Sequence, residues 1–250
     1  AYTALLAVGE RELAAEAAVL AGVTETNRGN QETVWENIEL AQALIVDAPP
    51  SRSKAFVLHW MALAYSLAGR SDEALEAGRA ALAIAEELDL ADVRANALST
   101  IGITRVSLGD LGGMADQKRS IEIARASNSV DVIRSPGNLA SCQLESCQIS
   151  RARETLGEAA TVAHRFGSVW YRDWIGPERV TYQHYAGEWD DAVRGVDQLE
   201  REIAGGDLTS FMEGGNRTVR ARIRLARGDV DGALDDMRRT RDLARLARNP

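Results

Sequence analysis

A small residue, a helix-closing glycine turn and a second small residue recur along this chain at steps of about forty residues. The turns read Arg28-Gly29-Asn30, Ala68-Gly69-Arg70, Leu108-Gly109-Asp110, Ala186-Gly187-Glu188 and Arg227-Gly228-Asp229, and Cys147 stands where a sixth glycine would fall. A fixed period of this size marks stacked helical pairs, because a single hairpin cannot bury its apolar face without a neighbour. Seven residues before each turn sits Gly22, Ala62, Gly102, Ala140, Val180 or Ala221; five residues after it sits Val34, Ala74, Met114, Ala152, Ala192 or Ala233. Antiparallel helices joined by a tight turn approach closely only where such side chains face each other. Leu58, Met61, Leu98, Ile101 and Leu139 are then free to fill the layer between hairpins. The expectation is an all-α solenoid of twelve helices in six antiparallel pairs.

The second pair is the clearest. Pro49-Pro50 ends the helix before it, and Ser51 or Ser53 opens a first helix running to Leu67. Gly69 supplies the left-handed turn residue. Ser71 reads as an N-cap, with Asp72 and Glu73 in the first turn and a second helix reaching about Leu88. Pro136-Gly137 and Gly176-Pro177 fall inside first helices at matching depth, which predicts a kink or a delayed start at both.

Composition narrows the function more than it names it. The formal charge of −8 gives no basic footprint for nucleic acid. Acidic residues crowd the first hundred positions, and arginines gather between Arg217 and Arg248. Lys54 and Lys118 are the two lysines, so arginine carries almost all the positive charge. Cys142 and Cys147 fit neither a CxxC nor a zinc pattern and read as two small, semi-buried thiols. With no disulfide framework, signal peptide or apolar run near eighteen residues, the chain is expected in the cytoplasm, away from membranes.

No GxxxxGK[ST] phosphate loop occurs, and no GxGxxG follows a strand. Gly112-Gly113 and Gly214-Gly215 sit at helix edges and read as turns or caps. His59, His164 and His184 lie in different pairs, so neither a metal site nor a cofactor is expected. Glu86-Glu87 and Asp235-Asp236 are adjacent, so on a helix they diverge and read as solvated surface. The reading is not an enzyme.

Leu58, Met61-Ala62, Tyr65, Gly69, Ala74 and Ala81 together resemble a tetratricopeptide repeat, in units longer than that family's usual period. The segments around Asn96-Ala97-Leu98, Gly187-Glu188-Trp189-Asp190-Asp191-Ala192 and Ala226-Arg227-Gly228-Asp229 resemble the C-terminal repeat region of bacterial regulators. Those regulators join a cyclase-like or DNA-binding domain to an ATPase module. The resemblance implies a TPR-like right-handed superhelix, with residues 1–250 a single repeat domain cut from a larger protein. It also implies that the first helix of each pair lines a concave, ligand-binding face. On this chain that face would carry Phe56, His59 and Leu63, then Asn96, Ser99 and Ile103, then Arg134 and Ser141. Trp174, Thr181 and His184 would follow, then Thr218 and Arg222.

Amide, aromatic and arginine groups suit an extended peptide or a segment of a partner protein. A small-molecule effector is the alternative ligand, and a homodimer is a further possibility raised by the acidic start and arginine-rich end. Asn96 serves equally well as a cross-link between helices, and Trp170 with Trp174 as cement between pairs. Arg220, Arg222 and Arg224 alternate around a helix, so only part of that set can face a groove.

Overall fold

The computed structural model describes residues 2–28, 30–127, 134–166, 169–206 and 212–246 of the chain. Among the described residues there are thirteen helices and no strand. They are α1 (Tyr2–Ala7), α2 (Arg11–Arg28), α3 (Gln31–Ile45), α4 (Arg52–Leu67), α5 (Ser71–Glu87), α6 (Ala91–Ser107), α7 (Gly113–Ala126), α8 (Arg134–Glu145), α9 (Ile149–Phe166), α10 (Val169–Tyr185), α11 (Trp189–Gly205), α12 (Glu213–Ala226) and α13 (Val230–Leu246). The short α1 is the element that the period does not supply. The chain divides into two compact units, one of Ala1–Glu25 with Glu32–Cys142, the other of Thr26–Gln31 with Gln143–Pro250.

In the first unit α4 pairs with α5 and α6 with α7. Ser51 caps α4, its Oγ accepting from the Lys54 amide at 3.0 Å. Ser71 is instead the first helical residue of α5, and the N-cap is Arg70, which makes no side-chain cap bond. Gly69 and Gly109 take left-handed backbone at φ 72° and 85°. Each turn closes with the same bond: Arg70 N donates to Tyr65 O at 2.9 Å, and Asp110 N to Arg105 O at 2.9 Å.

The small residues sit at the crossings. Gly22, Ala62, Gly102, Val34 and Ala74 are buried, but the third hairpin departs from the alignment. Met114 is half-buried there, and the residue against Gly102 is Gly113. A methyl group built on Gly102 would lie 2.7 Å from Gly113 O. The Asp110-Leu111-Gly112 bend, with Gly112 N donating to Asp110 Oδ1 at 2.9 Å, brings α7 to the crossing one residue early.

Side chains one period apart bond laterally. Ser51 Oγ donates to Glu12 Oε2 (2.5 Å), Arg52 pairs with Asp92 (2.5 Å), and the Ser66 and Thr104 hydroxyls lie 2.9 Å apart. These partners are 38–40 positions apart in sequence, so equivalent points of successive first helices lie side by side. Apolar filling follows the same register, with Met61, Leu98 and Ile101 buried and Leu58 packed against the core.

The second unit holds α10 against α11 and α12 against α13. Val180, Ala192, Val196, Leu199, Val219 and Ile223 form its core. Gly187 and Gly228 repeat the left-handed turn, at φ 79° and 83°. Pro136 falls in the first turn of α8, where proline is tolerated, and that helix is short; α10 runs through Pro177 without a break. The two thiols differ: Cys142 is buried and Cys147 exposed.

Cys147 occupies the missing-glycine position in the glycine conformation, at φ 58°. Gln148 N donates to Gln143 O at 2.8 Å, which is the turn bond of the other hairpins. Left-handed backbone costs a residue with a β-carbon about 1–2 kcal/mol. Cys147→Gly removes that strain but adds chain entropy to the unfolded state, so a net gain of about 0.5–1 kcal/mol is expected in urea unfolding.

Candidate functional site

Four helices of the first unit contribute to one buried polar layer. From α6, Ser99 Oγ donates to Gln117 Oε1 of α7 at 3.1 Å, and Gln117 Nε2 returns a bond to Ser99 O at 2.6 Å. Asn138 of α8 donates to Ser99 Oγ at 2.9 Å, so one hydroxyl ties three helices. Beside it, Ser120 Oγ donates to Ala95 O at 2.5 Å and lies 2.7 Å from the Ser135 hydroxyl. Arg134 Nη2 donates to Asn96 O at 3.0 Å. His59 of α4 completes the layer, close enough to Arg134 to feel its charge.

The layer needs these residue types. Ser99, Gln117, Ser120, Ser135 and Asn138 are all buried, and a buried polar group without a partner would be costly. Each satisfies another. Near the layer, His59 Nδ1, Trp60 Nε1 and Thr100 Oγ1 are buried without a hydrogen-bond partner. Trp60 packs edge-on to Phe56 (6.1 Å between centroids) and tilted against His59 (5.1 Å), giving α4 an aromatic ridge.

Of the expected binding residues in this unit, His59, Asn96, Ser99 and Arg134 therefore come together. Phe56 is half-buried beside Trp60. Ser141 is half-buried and bonded to Gly137 O at 3.2 Å, one turn on from Asn138. Leu63 and Ile103 are half-buried. Gln117, Ser120, Ser135, Asn138 and Trp60 belong to the same region, yet the groove positions do not include them. Asn138 lies four after Arg134 and three before Ser141, a spacing that alone puts it on their face.

In the second unit, His184 stacks on Trp189 (6.5 Å) and lies within electrostatic reach of Arg222. Arg227 lies over the Trp189 ring, 5.9 Å from its centroid, and 2.7 Å from Asp190. Arg222 is exposed, Tyr185 is half exposed, and the Gln183 Oε1 and His184 Nδ1 atoms are buried without a partner. Thr181 and Thr218 bond their own helices, to Pro177 O and Gly214 O. The side chain of Trp174 lies outside the described residues.

Burial first, and then the Arg134 charge, hold the His59 imidazole well below the ordinary histidine value of 6.5. The unfolded chain takes up a proton near that value and the folded chain does not. Stability is therefore full above about pH 6.5 and is lost as pH falls through it, by up to about 1.4 kcal/mol per pH unit. His184 shifts in the same direction, through burial and then Arg222. Urea unfolding between pH 7.5 and 5.5 should show the native chain losing at least about 1 kcal/mol more than His59→Gln; parallel slopes would remove His59 from the buried layer.

Asp235-Asp236 does not behave as a solvated pair. Asp235 is exposed, but the Asp236 side chain is 1% exposed and accepts from Arg217 (3.3 Å), Arg220 (2.5 Å) and Arg224 (2.8 Å). Arg220 also reaches Glu200 (2.6 Å) and Asp197 (2.5 Å). Glu213, equally enclosed, accepts from Arg217 at 2.9 Å and Arg239 at 3.1 Å. Thus Arg220 and Arg224 turn inward while Arg222, between them, faces water. Among the described residues no group of acids, histidines or cysteines could hold a metal ion, and no helix is long and apolar enough to cross a membrane.

No family model matches the chain, and no curated protein does. Its fold is that of known helical-repeat structures. A Rap protein complexed with Competence and Sporulation Factor superposes with a TM-score of 0.74 at 16% identity, over 94% of this chain and 65% of its own. Aspartyl phosphate phosphatase F from Bacillus subtilis gives 0.66 at 16% identity, over 97% and 63%. A Podospora anserina putative kinesin light chain with TPR-like repeats gives 0.54 at 18%, over 80% and 98%. The chain thus spans just under two thirds of the first two proteins. At these identities the likeness is one of fold: an all-α, TPR-like repeat array.

Proposed function

We propose that this chain is a non-enzymatic module that captures a segment of a partner protein or a peptide, and so regulates the larger protein carrying it. The observation that supports this most is the register of α4, α6 and α8. One period apart, they bring Phe56, His59 and Trp60, then Asn96 and Ser99, then Arg134, Asn138 and Ser141 into one region. Aromatic area beside amides and an arginine is the chemistry that grips extended backbone and carboxylates. The solved Rap protein, similar in fold, is one captured with a factor bound. By the sequence resemblance, the protein regulated is a bacterial one bearing an ATPase or cyclase-like module, and its compartment is the cytoplasm.

The partnerless His59 Nδ1, Trp60 Nε1 and Thr100 Oγ1 favour a second reading, a small polar effector held between α4 and α6. A pull-down from the source cell separates the two. A protein or peptide retained by the native chain and lost with Phe56→Ala/Asn96→Ala, or with His184→Ala/Arg222→Ala, supports the first. Retention of no polypeptide, with a thermal shift produced by the small-molecule fraction of the same lysate, supports the second. A polypeptide retained equally by both variants contradicts the assignment of these residues.

A further inference from the structure

In a chain with 37 acidic residues, none of the first-helix positions expected to line a groove, Phe56 through Arg222, is an aspartate or glutamate. The acids of the second unit sit mainly on its second helices. α11 carries five and α13 four, whereas α12 carries the enclosed Glu213 alone. Of the four arginines of α12, Arg217, Arg220 and Arg224 turn inward onto Asp236. Arg222 stays exposed, and among the described residues no carboxylate pairs with it. Its charge reaches back to His184 of α10.

His184 is held in place there and left unsatisfied. Trp189 Nε1 donates to His184 O at 3.2 Å, and the two rings lie within 21° of parallel. Three residues before its turn glycine, His184 occupies the place of Ser66, whose hydroxyl meets that of Thr104 on the next first helix at 2.9 Å. Ile223 stands where Thr104 would, five residues before its own turn glycine, and has no polar side-chain atom to offer. The His184 Nδ1 is accordingly buried without a partner. Tyr185 is 51% exposed, its ring 5.4 Å from the imidazole. The first unit holds a similar couple, His59 with Arg134, but sealed: the two are buried, and Arg134 Nη2 is engaged by Asn96 O.

We infer that Arg222 and His184 seat a carboxylate side chain of a captured acidic peptide segment, with the Tyr185 ring taking an apolar neighbour of that side chain; this rests on the capture function proposed above. An acidic side chain supplies the anion that the guanidinium and the imidazole both lack, and it matches the fork of an arginine. A free inorganic anion would use Arg222 and leave the exposed Tyr185 ring idle. A peptide uses both, since tyrosine offers an apolar body beside a polar site.

Two short fluorescein-labelled peptides test this, one alternating glutamate with leucine and the other serine with leucine. The acidic peptide should bind the full chain about tenfold or more tighter, and Arg222→Gln, at an exposed position and with native circular dichroism, should remove that advantage. The preference should also weaken as salt rises. Histidine ring resonances locate the seat: the acidic peptide should move those of His184, while the sealed His59 and the exposed His164 stay in place. Equal binding of both peptides would leave the capture function standing and overturn the acidic assignment. Binding of neither, a preference that survives Arg222→Gln, or movement of His164 without His184 would also overturn it. So would inorganic phosphate that moves His184 as far as the acidic peptide does, since the seat would then take a bare anion. The pull-down from the source cell judges the capture function separately.

Discussion

Asp236→Ala should lower the unfolding free energy by about 3–5 kcal/mol, the largest loss expected from any single polar substitution in the chain. The Asp236 carboxylate, almost wholly enclosed, is the anion on which Arg217, Arg220 and Arg224 converge. Without it, Arg220, itself 5% exposed, keeps only Glu200 and Asp197, both on α11. Arg217 and Arg224 lose the same carboxylate of α13, and breaking a buried pair from one side leaves charge uncompensated. Replacing both members, as Arg220→Leu with Asp236→Leu, should recover much of the loss, because hydrophobic residues of similar volume remove the desolvation cost as well. Equilibrium urea unfolding reads both. An alanine variant as stable as the native chain would mean that the network is not enclosed as described.

Ala74→Phe and Ala192→Phe come next, each expected to cost about 1–3 kcal/mol or more. Both alanines are fully buried where the two helices of a hairpin cross. A phenyl ring has no room there without pushing α4 from α5, or α10 from α11. One substitution lies in each unit, so the pair tests the hairpin alignment twice over. Thermal unfolding is the measurement, and unchanged midpoints in both would contradict it.

The turns were the most legible part of the sequence, because left-handed backbone demands glycine and leaves a visible mark. The same reasoning placed Cys147 at a turn, and its φ of 58° agrees. The third crossing was less legible, since Gly112-Gly113 offers two equivalent residues and only the Asp110 bend decides that Gly113 meets Gly102. The buried layer was legible in part. First-helix positions supplied His59, Asn96, Ser99 and Arg134, but Gln117 and Ser120 sit on α7, a second helix. Their pairing with Ser99 and Ala95 depends on how α6 and α7 turn toward each other. Asp236 escaped notice for a related reason. Adjacent carboxylates do diverge on a helix, but divergence sends one of them inward whenever the opposite helix offers arginines. Nothing local to Asp235-Asp236 says which.

A double-mutant cycle on Ser99 and Asn138 tests the central claim most directly, namely that helices one period apart lie side by side and share one polar layer. The residues are 39 positions apart and joined by a single 2.9 Å bond. The account predicts that Ser99→Ala and Asn138→Ala are non-additive, with a coupling energy of about 0.5–3 kcal/mol in urea unfolding. Losses that simply add would place the two side chains out of contact and contradict it.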